Sequence, residues 1–141
     1  MRWICVIALA VLACRAADLD AVKSEPDLEK RSDRALDLAD KSLSASRDLY
    51  SAGEYKKALA GLEDMRQSVD LARDSLVESH KSPSKSKYFK RAEVRLRGMA
   101  RRLEEFARDC ALDDRPAVEA LVAHVNQVHD DLLSGILEKK K

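Results

Sequence analysis

Apolar residues recur at steps of three and four in four separate stretches of this chain. That spacing is the signature of a helix with one buried stripe. The first stretch, 26–51, aligns Leu28, Ala35, Leu36, Ala39, Leu43, Ser46 and Tyr50. Ser24 is the expected cap, Pro26 suits the first turn, Asp27 favours the positive helix end, and Gly53 stops the helix. The second stretch, 54–79, aligns Tyr55, Leu59, Leu62, Met65, Val69, Ala72 and Leu76. A polar loop containing Pro83 follows. The third, 87–111, aligns Phe89, Ala92, Leu96, Met99, Leu103, Phe106 and Cys110. Asp113 to Pro116 is a turn and a new helix start. The fourth, 115–137, aligns Val118, Leu121, Val125, Val128, Leu132 and Ile136. At 1.5 Å per residue each helix is about 35–40 Å long. Short connections favour antiparallel neighbours. The expected fold is all-α: an up-down-up-down antiparallel four-helix bundle over 25–137, with 138–141 as a frayed basic tail.

Composition agrees with long helices. The 141 residues are 45% apolar and 36% charged, with 4% aromatics and seven Gly and Pro together. The apolar fraction is too high for a disordered chain, and the length suits one core.

The first residues read differently. Arg2 precedes an apolar run of eleven, WICVIALAVLA from Trp3 to Ala13. This is shorter than the ~20 residues that span a bilayer, and it fits the apolar region of a secretory signal. Val11-Leu12-Ala13-Cys14 resembles a bacterial lipobox, in which the cysteine is lipidated and becomes the mature N-terminus. The alternative is plain cleavage after Ala13 or Ala16. Residues 1–16 are thus expected to be a signal peptide with Cys14 as a lipidation site, and 17–24 a polar tether. The implied location is the periplasm or a membrane anchor. Cys5 would leave with the signal. Cys110 would then be a small core residue rather than a reactive thiol.

Leu49-Tyr50-Ser-Ala-Gly53-Glu54-Tyr55-Lys-Lys-Ala58-Leu59-Ala-Gly-Leu62 resembles the central turn of a tetratricopeptide repeat. The resemblance covers one hairpin, and no 34-residue period recurs. It implies a shared way to turn between helices; a peptide-binding adaptor is the lesser reading. The chain as a whole resembles an exported helical lipoprotein type of bacteria.

Charge is segregated although the net is +1. Residues 81–102 carry nine bases and one acid, while 18–80 and 103–141 are both acidic. Lys85, Lys87, Lys90, Arg91, Arg95, Arg97, Arg101 and Arg102 form the candidate binding surface. Their expected internal partners are Asp70, Asp74 and Glu78 on the second helix and the acidic flank of the fourth. Bases beyond that supply would meet an anionic partner: an acidic protein, phospholipid or lipopolysaccharide headgroups, or cell-wall polymer. Nucleic acid is disfavoured by export and by the lack of aromatics beyond Tyr88 and Phe89.

Catalytic signals are missing. Glu104-Glu105, Asp113-Asp114 and Asp130-Asp131 are adjacent pairs, which diverge by about 100° on a helix and cannot oppose one another. His124 and His129 are five apart, whereas two ligands on one face need three or four. No Gly-rich phosphate loop or nucleophile elbow occurs. The reading is a non-enzymatic envelope protein that acts by contact, with no metal and no cofactor. The alternative is a small-ligand or metal carrier using His124 and Cys110. His129 is expected in a solvated cluster with Asp130 and Asp131.

Overall fold

The computed structural model describes residues 18–138, which are all-helical with no strand. A short helix α1 covers residues 18–23. Four long helices follow: α2 (Leu28–Ser51), α3 (Tyr55–Glu78), α4 (Lys87–Asp109) and α5 (Arg115–Leu137). None of the described helices is long and apolar enough to cross a membrane. Residues 1–17 and 139–141, which hold the expected signal peptide, Cys14 and most of the expected basic tail, lie outside the described residues.

Local chemistry sets the helix ends. Asp27, not Ser24, caps α2: its carboxylate accepts from the Lys30 N–H at 3.1 Å. Ser24 instead closes α1, donating its hydroxyl to the Ala21 carbonyl at 2.7 Å. The stretch read as a tether is therefore partly helical, and its Val22 packs against the core. Gly53 ends the α2 hairpin with φ +82, a conformation that costs glycine little. The Gly53 N–H reaches Tyr50 O and the Glu54 N–H reaches Leu49 O, the paired bonds of a Schellman turn. Ser86 caps α4 by accepting from the Tyr88 N–H at 3.2 Å.

The four stripes bury together. Leu36, Leu43, Met65, Leu76, Leu96, Met99, Leu103, Val118, Val125 and Val128 are all at most 1% exposed. Tyr55 departs from its predicted inward position and is 52% exposed. It sits in the first turn of α3, against the edge of Tyr50, with ring centroids 4.7 Å apart. Facing helices α2 and α3 bury small side chains, including Ser32, Ala35, Ala39 and Ser46 on one and Ala58, Gly61, Ser68, Ala72 and Ser75 on the other. The Ser32 and Ser75 hydroxyls are buried without a hydrogen-bond partner. Replacing either with Ala is expected to raise stability by about 0.5–1 kcal/mol, because a desolvated hydroxyl is removed at little cost in volume. Urea melts of the single variants check this.

Helix pairing is not the expected sequential one. The packed pairs are α2 with α3, α4 with α5, α3 with α5, and α2 with α4. Consecutive α3 and α4 are not among them, which corrects the expectation that their short connection makes them antiparallel neighbours. Contacts between α2 and α4 advance in step. Asp33 meets Arg91 and Arg95, Asp40 meets Arg95 and Arg102, and Arg47 meets Glu105 and Asp109. The two helices therefore run parallel. Two contacts between distant segments hold the ends. At one, Ser86 donates to Glu29 at 2.9 Å. At the other, Tyr50 donates to Asp114 at 2.9 Å and accepts from the Ala111 N–H at 2.8 Å. The 79–86 loop crosses beneath α5, where Pro83 lies 3.4 Å from the place a Cβ would take at Gly135. Eight residues can reach about 26 Å, more than the diagonal between helices packed ~10 Å apart.

Candidate functional site: a basic helix with two faces

The parallel pairing of α2 and α4 divides the eight basic candidates. Asp33, Asp37 and Asp40 lie on the α2 flank that faces α4. Arg95 serves all three: its guanidinium is 3.2 Å from Asp33, 2.7 Å from Asp37 and 2.9 Å from Asp40, and it also donates to the Asp33 carbonyl. Its side chain is 19% exposed. Burial alone would lower its pKa, but the hydrogen bonds and charges of Asp40 and Asp37 outweigh burial and raise it. Arg102 reaches Asp40 at 3.0 Å and the Ser44 hydroxyl at 2.8 Å. Arg91 meets Asp33 at 3.4 Å. These three arginines join α4 to α2.

The remaining candidates face outward. Lys85, Lys87, Lys90 and Arg101 are exposed and have no acidic partner among the described residues. Arg97 pairs only within its own helix, at 3.6 Å from Glu93. Lys87 lies 5.3 Å from the centre of the Tyr88 ring. Lys81, in the preceding loop, is also exposed and without an acidic partner. Val94 stands among these cations and is 54% exposed.

The neutralising acids predicted from sequence are therefore the wrong ones. Asp70 bonds His124 at 2.6 Å and pairs with Arg73, and Asp74 also pairs with Arg73. Glu78 is exposed and pairs with none of the α4 bases. The flank of α5 meets α4 through a histidine instead. His129, expected in a solvated cluster, is 13% exposed and bonds Glu93 at 2.8 Å and Asp130 at 3.0 Å. Burial opposes its charge, but the carboxylates of Asp130 and Glu93 outweigh burial, and its pKa is raised above the ordinary 6.5. A raised folded-state pKa means the contribution is fully present below the ordinary value and is lost as pH rises through the raised one. The stability lost on His129→Gln is therefore expected to be largest below pH 6.5 and to shrink as pH rises above it. Thermal melts of both proteins on either side of that pH check it.

The candidate ligand pair is not brought together. His124 faces Asp70 on α3, whereas Cys110 lies beside Tyr50 at the α4–α5 turn. Cys110 is 4% exposed, and burial pushes its thiol pKa up. No group of three or more His, Cys, Asp or Glu among the described residues is placed to hold a metal ion. An open groove of about 360 Å³ lies between α3 and α5, lined by Leu59, Glu63, Arg66, Ala117, Ala120 and His124. It is remote from the basic face.

Comparison with known proteins finds no matching family model, no matching curated protein and no matching solved structure.

Proposed function

We propose that this protein is a non-enzymatic, exported interaction protein of a bacterial envelope, held at its N-terminus and contacting an anionic partner through the outer face of α4. Its four long helices act as a single four-helix bundle, with α2 beside α4 and α3 beside α5. The bundle is the rigid support, and the outer face is the working surface. One observation carries this reading. Arg91, Arg95 and Arg102 are engaged by acids of α2, while Lys81, Lys85, Lys87, Lys90 and Arg101 have no acidic partner among the described residues. Unpaired cations on one face raise the local potential and attract anions. Cations needed only to join helices would sit with Arg95, between α2 and α4.

Export and anchoring rest on the N-terminal pattern: Arg2, the apolar run from Trp3 to Ala13, and Cys14 after Ala13. Producing the full chain in a bacterium with an intact export system tests them. The expected result is a membrane-bound protein whose mass carries a lipid, and a Cys14→Ser version that is released into the periplasm. Recovery of both versions in the cytoplasm with residues 1–16 attached would contradict the proposal.

A further inference from the structure

We infer that the edge of the molecule where the 79–86 loop enters α4 rests on a membrane surface rich in anionic lipid headgroups. This names the partner of the surface proposed above and rests on that reading of export and N-terminal anchoring.

Topology places the chain's entry at this edge. Ser86, the cap of α4, bonds Glu29 in the first turn of α2. Residues 18–23 immediately precede α2 and pack there through Val22. An anchor at Cys14 would therefore leave the fold at the end that carries Lys81, Lys85, Lys87 and Lys90. From Lys87 to Arg101 the outer face of α4 rises about 21 Å at 1.5 Å per residue. The exposed cations of α4 are thus grouped at its N-terminal end and on the flank just above it. Helix α5 also finishes at this end.

Apolar exposure at this edge fits lipid better than protein. Val77 is 62% exposed and Leu137 68% exposed, near the ends of α3 and α5, and Val94 stands between the α4 cations. These are single side chains on three different helices. A protein interface centres on buried anchors in pockets. Headgroup attraction needs only basic side chains within a Debye length of the surface, about 8 Å at physiological salt. Acids at this edge are of two kinds: Glu29 accepts from Ser86 and Glu93 is held by His129 and Arg97, while Glu78 at the end of α3 and Glu138 after α5 are exposed.

The test is flotation of the full chain with two vesicles: phosphatidylcholine alone, and phosphatidylcholine with phosphatidylglycerol as about one third of the lipid. Partition into the anionic vesicle is expected to exceed the neutral one by at least about tenfold and to fall as salt rises. The Lys85→Glu/Lys87→Glu/Lys90→Glu/Arg97→Glu variant is expected to lose that preference. The Lys56→Glu/Lys57→Glu variant, altered at the opposite end, is expected to keep it. All changed positions are exposed, and circular dichroism verifies that each variant retains its helices. Equal wild-type partition into both vesicles overturns the inference and leaves anchoring intact. Preference for anionic vesicles without binding to neutral ones upholds it and removes the anchor. Salt-sensitive retention on immobilised polyglutamate, lost in the four-site variant, without any vesicle preference overturns it in favour of an acidic protein.

Discussion

Replacing Arg95 with Ala is expected to destabilise the fold by about 1–2 kcal/mol, more than an exposed ion pair is worth and less than the loss of one partner of a fully buried one. The reason lies in α2. Asp33, Asp37 and Asp40 are four and seven residues apart, so they share one helix face and repel one another. Arg95 is the counter-ion common to all three, at 3.2, 2.7 and 2.9 Å. Its loss leaves Asp33, 24% exposed, with only the Arg91 guanidinium at 3.4 Å, and Asp37 without a counter-ion from α4. Adding Asp37→Asn to Arg95→Ala is then expected to restore part of the loss, because one repelling charge is gone. Higher salt should restore part of it too. A double-mutant cycle by urea denaturation measures the coupling. An Arg95→Ala protein as stable as wild type would show that these carboxylates are solvated without the arginine.

Leu103→Ala is expected to cost about 3–4 kcal/mol, within the range for a buried leucine that leaves a cavity. Leu103 is 0% exposed, and each of the four long helices contributes to the cluster around it. Leucine, methionine and phenylalanine on either side of it, at 96, 99 and 106, are fixed by their own packing and cannot close the gap. Leu112→Ala is the control: the same atoms are removed from a side chain 77% exposed in the α4–α5 turn, and little change is expected. The denaturant midpoint should fall for Leu103→Ala with an unchanged slope. Equal effects of the two substitutions would mean the core lies elsewhere.

Helix positions were legible because burial is written in the period of the apolar residues. Phe89, Leu96, Leu103 and Phe106 recur on one stripe, and all four are buried. Helix pairing was not legible, since an eight-residue loop reaches an adjacent helix or a diagonal one equally well. The information that decides it is electrostatic and long-range: acids at 33, 37 and 40 meet arginines at 91, 95 and 102 only when α2 and α4 lie side by side. Sequence proximity pointed instead to Asp70, Asp74 and Glu78. His129 was misread for a related reason. Asp130 and Asp131 beside it look solvated, but a histidine one step from Val128 on α5 is turned towards Glu93 on α4. Tyr55 shows the limit of periodicity at a helix end, where the first turn projects past the core. Of the candidate site, the basic segment was visible as a run of charge, but its division into two faces required knowing which helix lies beside it.

That division is tested most directly by comparing two neutralised variants of equal charge on an anionic matrix. Lys90→Gln/Arg101→Gln alters the outer face, and Arg95→Gln/Arg102→Gln alters the face against α2. The first variant is expected to elute at lower salt than wild type with an unchanged melting temperature. The second is expected to melt earlier yet, while folded, to elute close to wild type. The opposite pattern, with retention lost through Arg95 and Arg102 and kept without Lys90 and Arg101, would contradict the account.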